Sequence, residues 1–428
     1  MSHGRRRWGI AILLGIGVLV NYFDRINLSV AQEALHREFG ISTQEFGVLS
    51  SAFNWTYALM QLPMGAMLDR FGVRTLGCIG AFLWGIASFG SALSPNLKSF
   101  FASRLLLGIA EAPTFPANAK AIGYWFPKVE RSLATSLFDG AAKLGPAVGV
   151  LLVGALAMAY GWRISFAATG VISLFFFAAF FLRYRDPDAD KKLSPEELRF
   201  IQEGGANRPE KIETAPGASI PYLIRQRKVL GLVFGFFAYN YVFYLLLYWL
   251  PSYFRSLVDQ KHAIMYTSSV WLFATATDIL VGGLLVDTLI KRGKSPTLVR
   301  QTTLLVGTAL GLCIAGAQYT RDPMVAIIWI GIAMGGLAAA APVGWSIPSL
   351  IAPRNSVGRV GGILNFGNQI AGIVSPIVTG TLAGGQNDFG RAFLVAGIVL
   401  AFGGLSYIFL LGKIEPVPEP EGRVQKLA

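Results

Sequence analysis

Long apolar runs separated by short polar ones dominate this chain. Twelve runs of about 20 residues are each long enough to cross a bilayer core as a helix rising 1.5 Å per residue. They fall near residues 8–30, 46–67, 75–94, 99–121, 131–157, 163–183, 229–254, 264–288, 298–319, 323–350, 357–383 and 390–412. Pro or Gly interrupts several of them, which membrane helices tolerate because neighbours re-satisfy the freed backbone groups. The pattern predicts an all-α membrane protein with twelve transmembrane helices, its immediate partner the lipid bilayer.

The longest polar stretch, 184–228, separates spans six and seven. Within it, SPEELRFIQEGG predicts a short amphipathic helix. Ser194 is a side-chain N-cap, Pro195 suits the first helical position, and Glu197 completes a capping box. We therefore expect an N-terminal six-helix bundle over 1–183, a cytoplasmic linker over 184–228, and a C-terminal six-helix bundle and tail over 229–428. An internal repeat supports two pseudo-symmetric bundles. Ala112-Pro113 recurs as Ala341-Pro342, Arg131 is echoed by Arg359 and Pro146 by Pro376, all about 229 residues apart. GAMLD at 65–69 is echoed by GLLVD at 283–287. Each match is weak alone, but their shared order makes chance a poor explanation. An even number of spans puts both termini on one side. About 26 of the 37 Lys and Arg residues fall on the side of the N-terminus and about 7 on the other, which predicts cytoplasmic termini.

Composition agrees. The chain of 428 residues is 53% hydrophobic and 14% charged, against about 25% charged in a soluble domain. The net charge of +13 raises nucleic acid as a partner, but the basic residues sit in loops between apolar runs, so none is expected. Arg5, Arg6 and Arg7 precede an apolar run too long for a cleavable signal. Cys78 and Cys313 lie in separate apolar segments and read as small buried hydrophobes. His3, His36 and His262 all lie outside the spans, and no nucleophile–base motif, metal-ligand cluster or phosphate-cradling loop appears. An enzyme is not expected, nor a cofactor or metal, and an ion gradient is the expected energy source. A functional monomer is expected.

Charges inside the spans carry the chemistry. RLLLGIAEAPTFP, at 104–116, places Arg104 and Glu111 seven residues apart in span four. Two helical turns put them on one face, about 10 Å apart along the axis. A charge near the bilayer centre costs roughly 3 kcal/mol or more, so it persists where it faces a polar cavity or a partner. Asp24-Arg25 lies in span one, which runs antiparallel to span four, so both arginines can share a depth and Asp24 can pair with either. Arginine takes a carboxylate through two parallel charge-assisted hydrogen bonds. Asp139 and Lys143 in span five have the spacing of a helical salt bridge. Lys143 is thus either a structural ion pair or an added positive charge for a substrate. The second half is poorer in charge. Asn240, Tyr244 and Tyr248 share a face of span seven, Trp345-Ser346 lies in span ten, and span eleven holds Asn365, Asn368 and Gln369. Such neutral donors and aromatics suit hydroxyls and sugar faces; for Tyr244 and Asn368 helix–helix packing is an equal alternative. Asp278 in span eight is read as structural. Glycines concentrate in spans five (Gly140, Gly145, Gly149, Gly154) and eleven (Gly361, Gly362, Gly367, Gly372), where small residues let helices approach.

Several of these stretches resemble known sequences. GAMLDRFGVR, between spans two and three, resembles the signature loop of the major facilitator superfamily, and GLLVDTLIKRG, between spans eight and nine, resembles its degenerate copy. NYFDRINLSVA, RLLLGIAEAPTFPA and YWFPKVERSLA resemble the anion:cation symporter family within it, which includes bacterial hexuronate, glucarate and galactonate transporters. The resemblance covers nearly the whole chain. It implies a major facilitator fold and an alternating-access carrier that imports a small organic anion, in the first reading a sugar acid, by proton symport across a bacterial inner membrane. It implies substrate-binding roles for Tyr22, Arg25, Tyr57, Arg104, Trp345 and Asn365, and proton-coupling roles for Asp24 and Glu111. Some sugar-acid members carry a neutral hydrogen-bonding residue where this chain has Ala142 beside Lys143, which leaves the substrate open. A carrier or exchanger of aromatic or dicarboxylic acids, and a membrane sensor that binds an anion without moving it, are the alternatives.

Overall fold

The computed structural model describes residues 5–127, 130–206, 218–354, 356–384 and 388–419. Residues 207–217 of the expected linker and 420–428 of the expected tail lie outside the described residues. The described chain is mostly helical, and the apolar runs become spans. Span one is Arg6–Val30, followed by a short helix, Gln32–Phe39. Spans two and three form one run, Thr43–Ala92, that turns at Gly72. Gly72 has φ +78°, which side chains rarely adopt. Gly293, in the degenerate copy of that loop, has φ +82°. Span four comprises Leu97–Glu111 and Thr114–Trp125, parted at Ala112-Pro113. Span five is Arg131–Tyr160 and span six Trp162–Arg183. Span seven is Arg227–Arg255, eight Gln260–Lys291, nine Pro296–Tyr319, ten Pro323–Ile351, eleven Val357–Ala383 and twelve Gly390–Leu411.

Among the described residues, nine helices are long and apolar enough to cross a membrane by composition alone. Spans two, four and eleven are the exceptions: span four is parted into helices of 15 and 12 residues, and spans two and eleven carry polar side chains, Asn54 and Gln61 in one and Asn365, Asn368 and Gln369 in the other. Spans one and seven are the most enclosed. Outward faces elsewhere are apolar: Phe175, Leu182 and Phe402 are each about 70% exposed, as lipid-facing side chains should be.

The chain divides into two compact units. The first comprises Met1–Ile41 and Ala52–Lys211, the second Ser42–Ser51 and Ile212–Ala428. In the first, span one lies along span five. A Cβ on Gly145 would stand 2.5 Å from Cβ of Tyr22, and one on Gly149 2.9 Å from Ile26. These glycines therefore serve close packing on span one. In the second, the corresponding pair is spans seven and eleven, tied where Ser375 Oγ donates to the Tyr241 carbonyl (2.7 Å). Spans seven and twelve also pack closely, and a Cβ on Gly235 would strike the Tyr407 ring. The matching one–five and seven–eleven pairs give the internal repeat its structural form.

The short helix of the polar stretch is Pro195–Glu203, and Ser194 Oγ accepts from the Glu197 amide (3.2 Å). The Glu197 carboxylate is used elsewhere. It accepts from Arg7 Nη1 (2.9 Å) and from the backbone amides of Arg6 and Arg7. A buried arginine outcompetes a backbone amide for the carboxylate, so the helix is clamped to the start of span one. Arg7 Nε also donates to Glu130 (2.7 Å), and Arg6 pairs with Asp190 (2.7 Å).

Candidate functional site

The first unit gathers its intramembrane charges around Arg25. Its Nε donates to Glu111 Oε2 at 2.8 Å, with both side chains almost wholly buried. The guanidinium also lies over three rings: Phe53 at 4.4 Å, Tyr22 at 4.9 Å and Tyr57 at 5.4 Å from the centroids. Such a cation is held by ring faces as well as by its acid. Tyr22 lies within electrostatic reach of Arg25, Lys143, Asp139 and Glu111 together. The structure thus collects residues from spans one, two, four and five into one buried cluster.

Span four presents Glu111 to that cluster at a break. Pro113 has no amide to donate, so carbonyls of the preceding turn need other donors. Trp84 Nε1 donates to the Ala110 carbonyl (2.8 Å) and Gln61 Nε2 to that of Ala112 (3.1 Å). Side chains from spans two and three therefore fix the backbone on both sides of Glu111. Gly108 lets span four lie against span two: a Cβ there would stand 2.2 Å from the Phe53 carbonyl.

The ion pairing differs from the simplest helical reading. Arg104 and Glu111 share a face, but seven residues separate them too far for contact. Arg25, from the facing helix, fills the gap. Arg104 instead donates through Nη1 to the backbone carbonyl of Asp24 (3.3 Å), and its charge acts on the Asp24 carboxylate. That carboxylate accepts from Ser88 Oγ in span three (2.6 Å) and Ser173 Oγ in span six (2.9 Å). Neither serine stood out in the sequence. The signal was available: Ser165, Thr169 and Ser173 recur every four residues through an otherwise Phe- and Ala-rich span. Phe53 was likewise unmarked, since an aromatic at helical spacing ordinarily means core.

Lys143 is buried, and its Nζ donates to Asp139 Oδ2 at 2.8 Å. The lysine is about 4% exposed and its partner about 22%. The pair of the sequence pattern is present, beside Tyr22.

The second unit holds neutral polar groups. Tyr244 OH donates to Gln369 Oε1 (3.2 Å), and Gln369 Nε2 donates to Asn365 Oδ1 (3.4 Å). A chain thus runs from span seven into span eleven, with the Tyr244 ring stacked on Tyr248 at 6.1 Å. Asn240 turns its amide back to the Phe236 carbonyl (2.9 Å). Asn368 is buried, yet neither of its amide atoms has a hydrogen-bond partner among the described residues. Trp345 packs edge-on against Phe236 at 5.2 Å and is 41% exposed. Asp278, also buried, opens a π-helical stretch, Asp278–Leu285, within span eight.

Comparison with known proteins decides the family. The Major Facilitator Superfamily profile matches residues 14–337. This chain belongs to the major facilitator superfamily. It is therefore an integral membrane transporter and not an enzyme. Its relatives match almost end to end. An uncharacterized transporter, YybO of Bacillus subtilis (strain 168), is 39% identical over 97% of this chain and 96% of its own. The D-galactonate transporter of Escherichia coli O6:H1 is 33% identical over 97% of each chain. The probable galactarate/D-glucarate transporter GarP of Escherichia coli K12 is 32% identical over 96% and 95%. The latter two are named for sugar acids, as the motifs of spans one, four and five led us to expect. The fold matches solved transporters at low identity. A D-xylose-proton symporter superimposes with a TM-score of 0.72 at 18% identity, covering 97% of this transporter and 99% of that chain.

Proposed function

We propose that this transporter imports a sugar acid together with protons by alternating access, with both termini in the cytoplasm of a bacterial cell. The observation that carries the reading is the buried Arg25–Glu111 pair at 2.8 Å, framed by Tyr22, Phe53 and Tyr57. A substrate carboxylate has the same chemistry as Glu111 and competes with it for Arg25. Once displaced, Glu111 is a buried acid without its counter-charge, and burial disfavours the charged form. It takes a proton, so substrate and proton load together. Asp24, beside Arg104, is the second acid of the same cluster. The proton is the coupling ion, with no other cofactor.

Arg104 is proposed to take a further polar group of the substrate; the second unit offers Tyr244, Trp345, Asn365 and Asn368 as substrate-binding residues, whose amides and rings suit hydroxyls. The relatives named for galactonate, galactarate and glucarate favour hydroxylated acids over aromatic ones. A buried Lys143 near Tyr22 favours a second carboxylate, hence an aldarate over an aldonate. Thermal-shift measurements on the purified protein with galactonate, galactarate, glucarate, an aromatic acid and a simple dicarboxylate test the class, because a ligand of the folded state raises apparent stability. Uptake of the stabilising compound into proteoliposomes with an inward proton gradient tests transport. Stabilisation by the aromatic acid alone, or binding without uptake, would reject the reading.

A further inference from the structure

One turn from the Arg25–Glu111 pair lies a group of buried polar atoms that the proposed mechanism leaves unused. Glu111 Oε2 accepts from Arg25 Nε at 2.8 Å, but Oε1 has no hydrogen-bond partner among the described residues. The same holds for Thr114 Oγ1, Asn118 Nδ2 and both amide atoms of Asn21. Asn21 and Glu111 have no exposed surface, and Asn118 and Thr114 are 6% and 8% exposed. Elsewhere in this unit such groups are paired, as Asn27 is with Ser165 and Thr169. Burying a polar group without a hydrogen bond is costly, so these side chains need an occupant that supplies donors and acceptors.

Helix geometry brings the four together. Thr114 and Asn118 follow Glu111 by three and seven residues. Ala112 and Pro113 keep helical backbone across the break (φ −54°, ψ −33° and φ −68°, ψ −23°), so all three side chains share one face of span four. Asn21 precedes Arg25 by four residues, on the same face of span one. That face meets Glu111 through Arg25, and Thr114–Trp125 packs against span one. The antiparallel run of the two helices sets Asn21 at the depth of Thr114 and Asn118. This is the side of Glu111 toward the N-terminus, where Trp8 meets Phe126 at 5.1 Å. One carboxylate oxygen, one hydroxyl and two amides offer donors and acceptors alike, with no further charge. Water matches that set, since an enclosed water takes about three polar partners.

We propose that Glu111, Thr114, Asn118 and Asn21 enclose water that carries the Glu111 proton toward the side of the N-terminus. The proposal rests on the reading of Glu111 as the coupling acid. The Glu111 O–H bond breaks, its electron pair stays on the carboxylate beside Arg25, and the proton joins the adjacent water. That water gives up one of its own protons in turn. Thr114 relays, because a hydroxyl takes a proton on one side as it releases one on the other. The amides of Asn21 and Asn118 do not conduct; they are positioning groups that hold the water in line. Past Asn118 the face is apolar and buried at Ala121, Ile122 and Trp125. The relay is therefore closed at that end in this conformation. Protons reach bulk water only when those side chains part, so the gradient does not leak through the span.

The test compares two transport assays and one spectrum on the full-length protein in proteoliposomes, with the sugar acid that thermal shift selects. Asn118→Leu fills the water site, and Thr114→Val keeps the shape while deleting the hydroxyl, so it serves if Asn118→Leu does not fold. Both should exchange substrate in counterflow at the wild-type rate, because exchange never requires the proton to leave. A positioned proton-transfer group is worth about 100-fold or more in its step, so uptake driven by an inward proton gradient should fall about tenfold or more once that step limits the cycle. Thr114→Ser should restore it. In infrared spectra the O–H band of an enclosed water shifts in heavy-oxygen water; wild type should show that band and Asn118→Leu should lose it. Wild-type net uptake in both variants, counterflow lost together with uptake in both, or no such band in wild type overturns the proposal. Glu111→Gln separates it from the reading beneath it. Wild-type accumulation by that variant rejects Glu111 as the coupling acid, whereas its failure beside unimpaired Thr114→Val and Asn118→Leu rejects the relay alone.

Discussion

Replacing Glu111 by Gln separates substrate binding from proton release. In the wild-type transporter Arg25 is held by Glu111 at 2.8 Å, with side-chain exposures of 3% and 0%, and in the proposed mechanism an incoming carboxylate takes the place of Glu111. A charged hydrogen bond of this kind is worth about 1.5–3 kcal/mol net. Glutamine keeps the shape and an acceptor oxygen but removes the negative charge. If Glu111 competes as a carboxylate, Glu111→Gln should therefore bind a sugar acid roughly 10- to 100-fold more tightly than wild type at about pH 8, taking about 1.4 kcal/mol per tenfold. The gap should narrow at about pH 5, because a protonated acid no longer competes for the arginine. Arg25→Ala should do the opposite and weaken binding by 30-fold or more at both pH values, because losing a buried charged partner costs roughly 2–5 kcal/mol. Calorimetry at the two pH values reads both effects. Transport gives the second half of the test. Glu111→Gln should still exchange substrate in counterflow, which never requires the proton to leave, and should fail to accumulate it against a gradient. Equal affinities of wild type and Glu111→Gln at about pH 8 would refute the competition, and uphill uptake by the mutant at the wild-type level would refute the coupling role.

Other perturbations address the remaining charges. If Lys143 binds substrate, Lys143→Gln should keep its melting temperature and lose affinity for galactarate more than for galactonate. If it is structural, Lys143→Ala should melt early and Asp139→Asn/Lys143→Gln should recover, and unchanged stability with unchanged uptake discards both. Arg7→Ala leaves Glu197 buried without its cation, which should cost about 3–5 kcal/mol. Arg37→Ala, whose partner Glu33 is exposed, should leave the melting temperature nearly unchanged, and equal melting of the two would show that the clamp carries no stability. Glu38, outside the spans, accepts from Arg163 and Trp162. The Arg163 hydrogen bond chiefly, opposed by burial and helped by Trp162, holds it below the usual carboxylate range. A depressed acid contributes stability above the unfolded value of about 4.3 and loses it as pH falls through the folded one. The melting temperature of Glu38→Gln should accordingly lie slightly below wild type at neutral pH and meet it below about pH 4, and a gap that stays constant would contradict the assignment.

Spans were legible because a bilayer fixes their length: about 20 apolar residues, ended by polar loops, leave little freedom of register. The break at Pro113 and the turn at Gly72 could be anticipated from residue type alone. Contacts between helices could not. Nothing in the local pattern says that Arg25 reaches Glu111 while Arg104 touches the backbone of Asp24, since both outcomes satisfy the same spacing. The glycines of span five were visible, but their use depends on Tyr22 and Ile26 standing opposite. Ser88 and Ser173 were passed over because serine in a membrane helix usually bonds its own backbone, as Ser91 does with Ala87. Their role appears only when spans three and six converge on one acid.

The charges of the first unit also bear on stoichiometry. Its buried cluster contains three cations, Arg25, Arg104 and Lys143, and three acids, Asp24, Glu111 and Asp139. With every group ionised the cluster is neutral. An incoming carboxylate adds one negative charge in a place where an uncompensated charge costs several kcal/mol. One proton on Glu111 restores neutrality. A second carboxylate would require a second proton, which in the proposed mechanism goes to Asp24. Loading should then add no net charge: one proton with an aldonate, two with an aldarate. Proteoliposomes clamped with valinomycin and potassium test this. Aldonate uptake should respond to the pH gradient and remain indifferent to a membrane potential applied alone. Accumulation driven by an inside-negative potential with no pH gradient would mean that more protons than carboxylates enter, and that the cluster is not held neutral through the cycle.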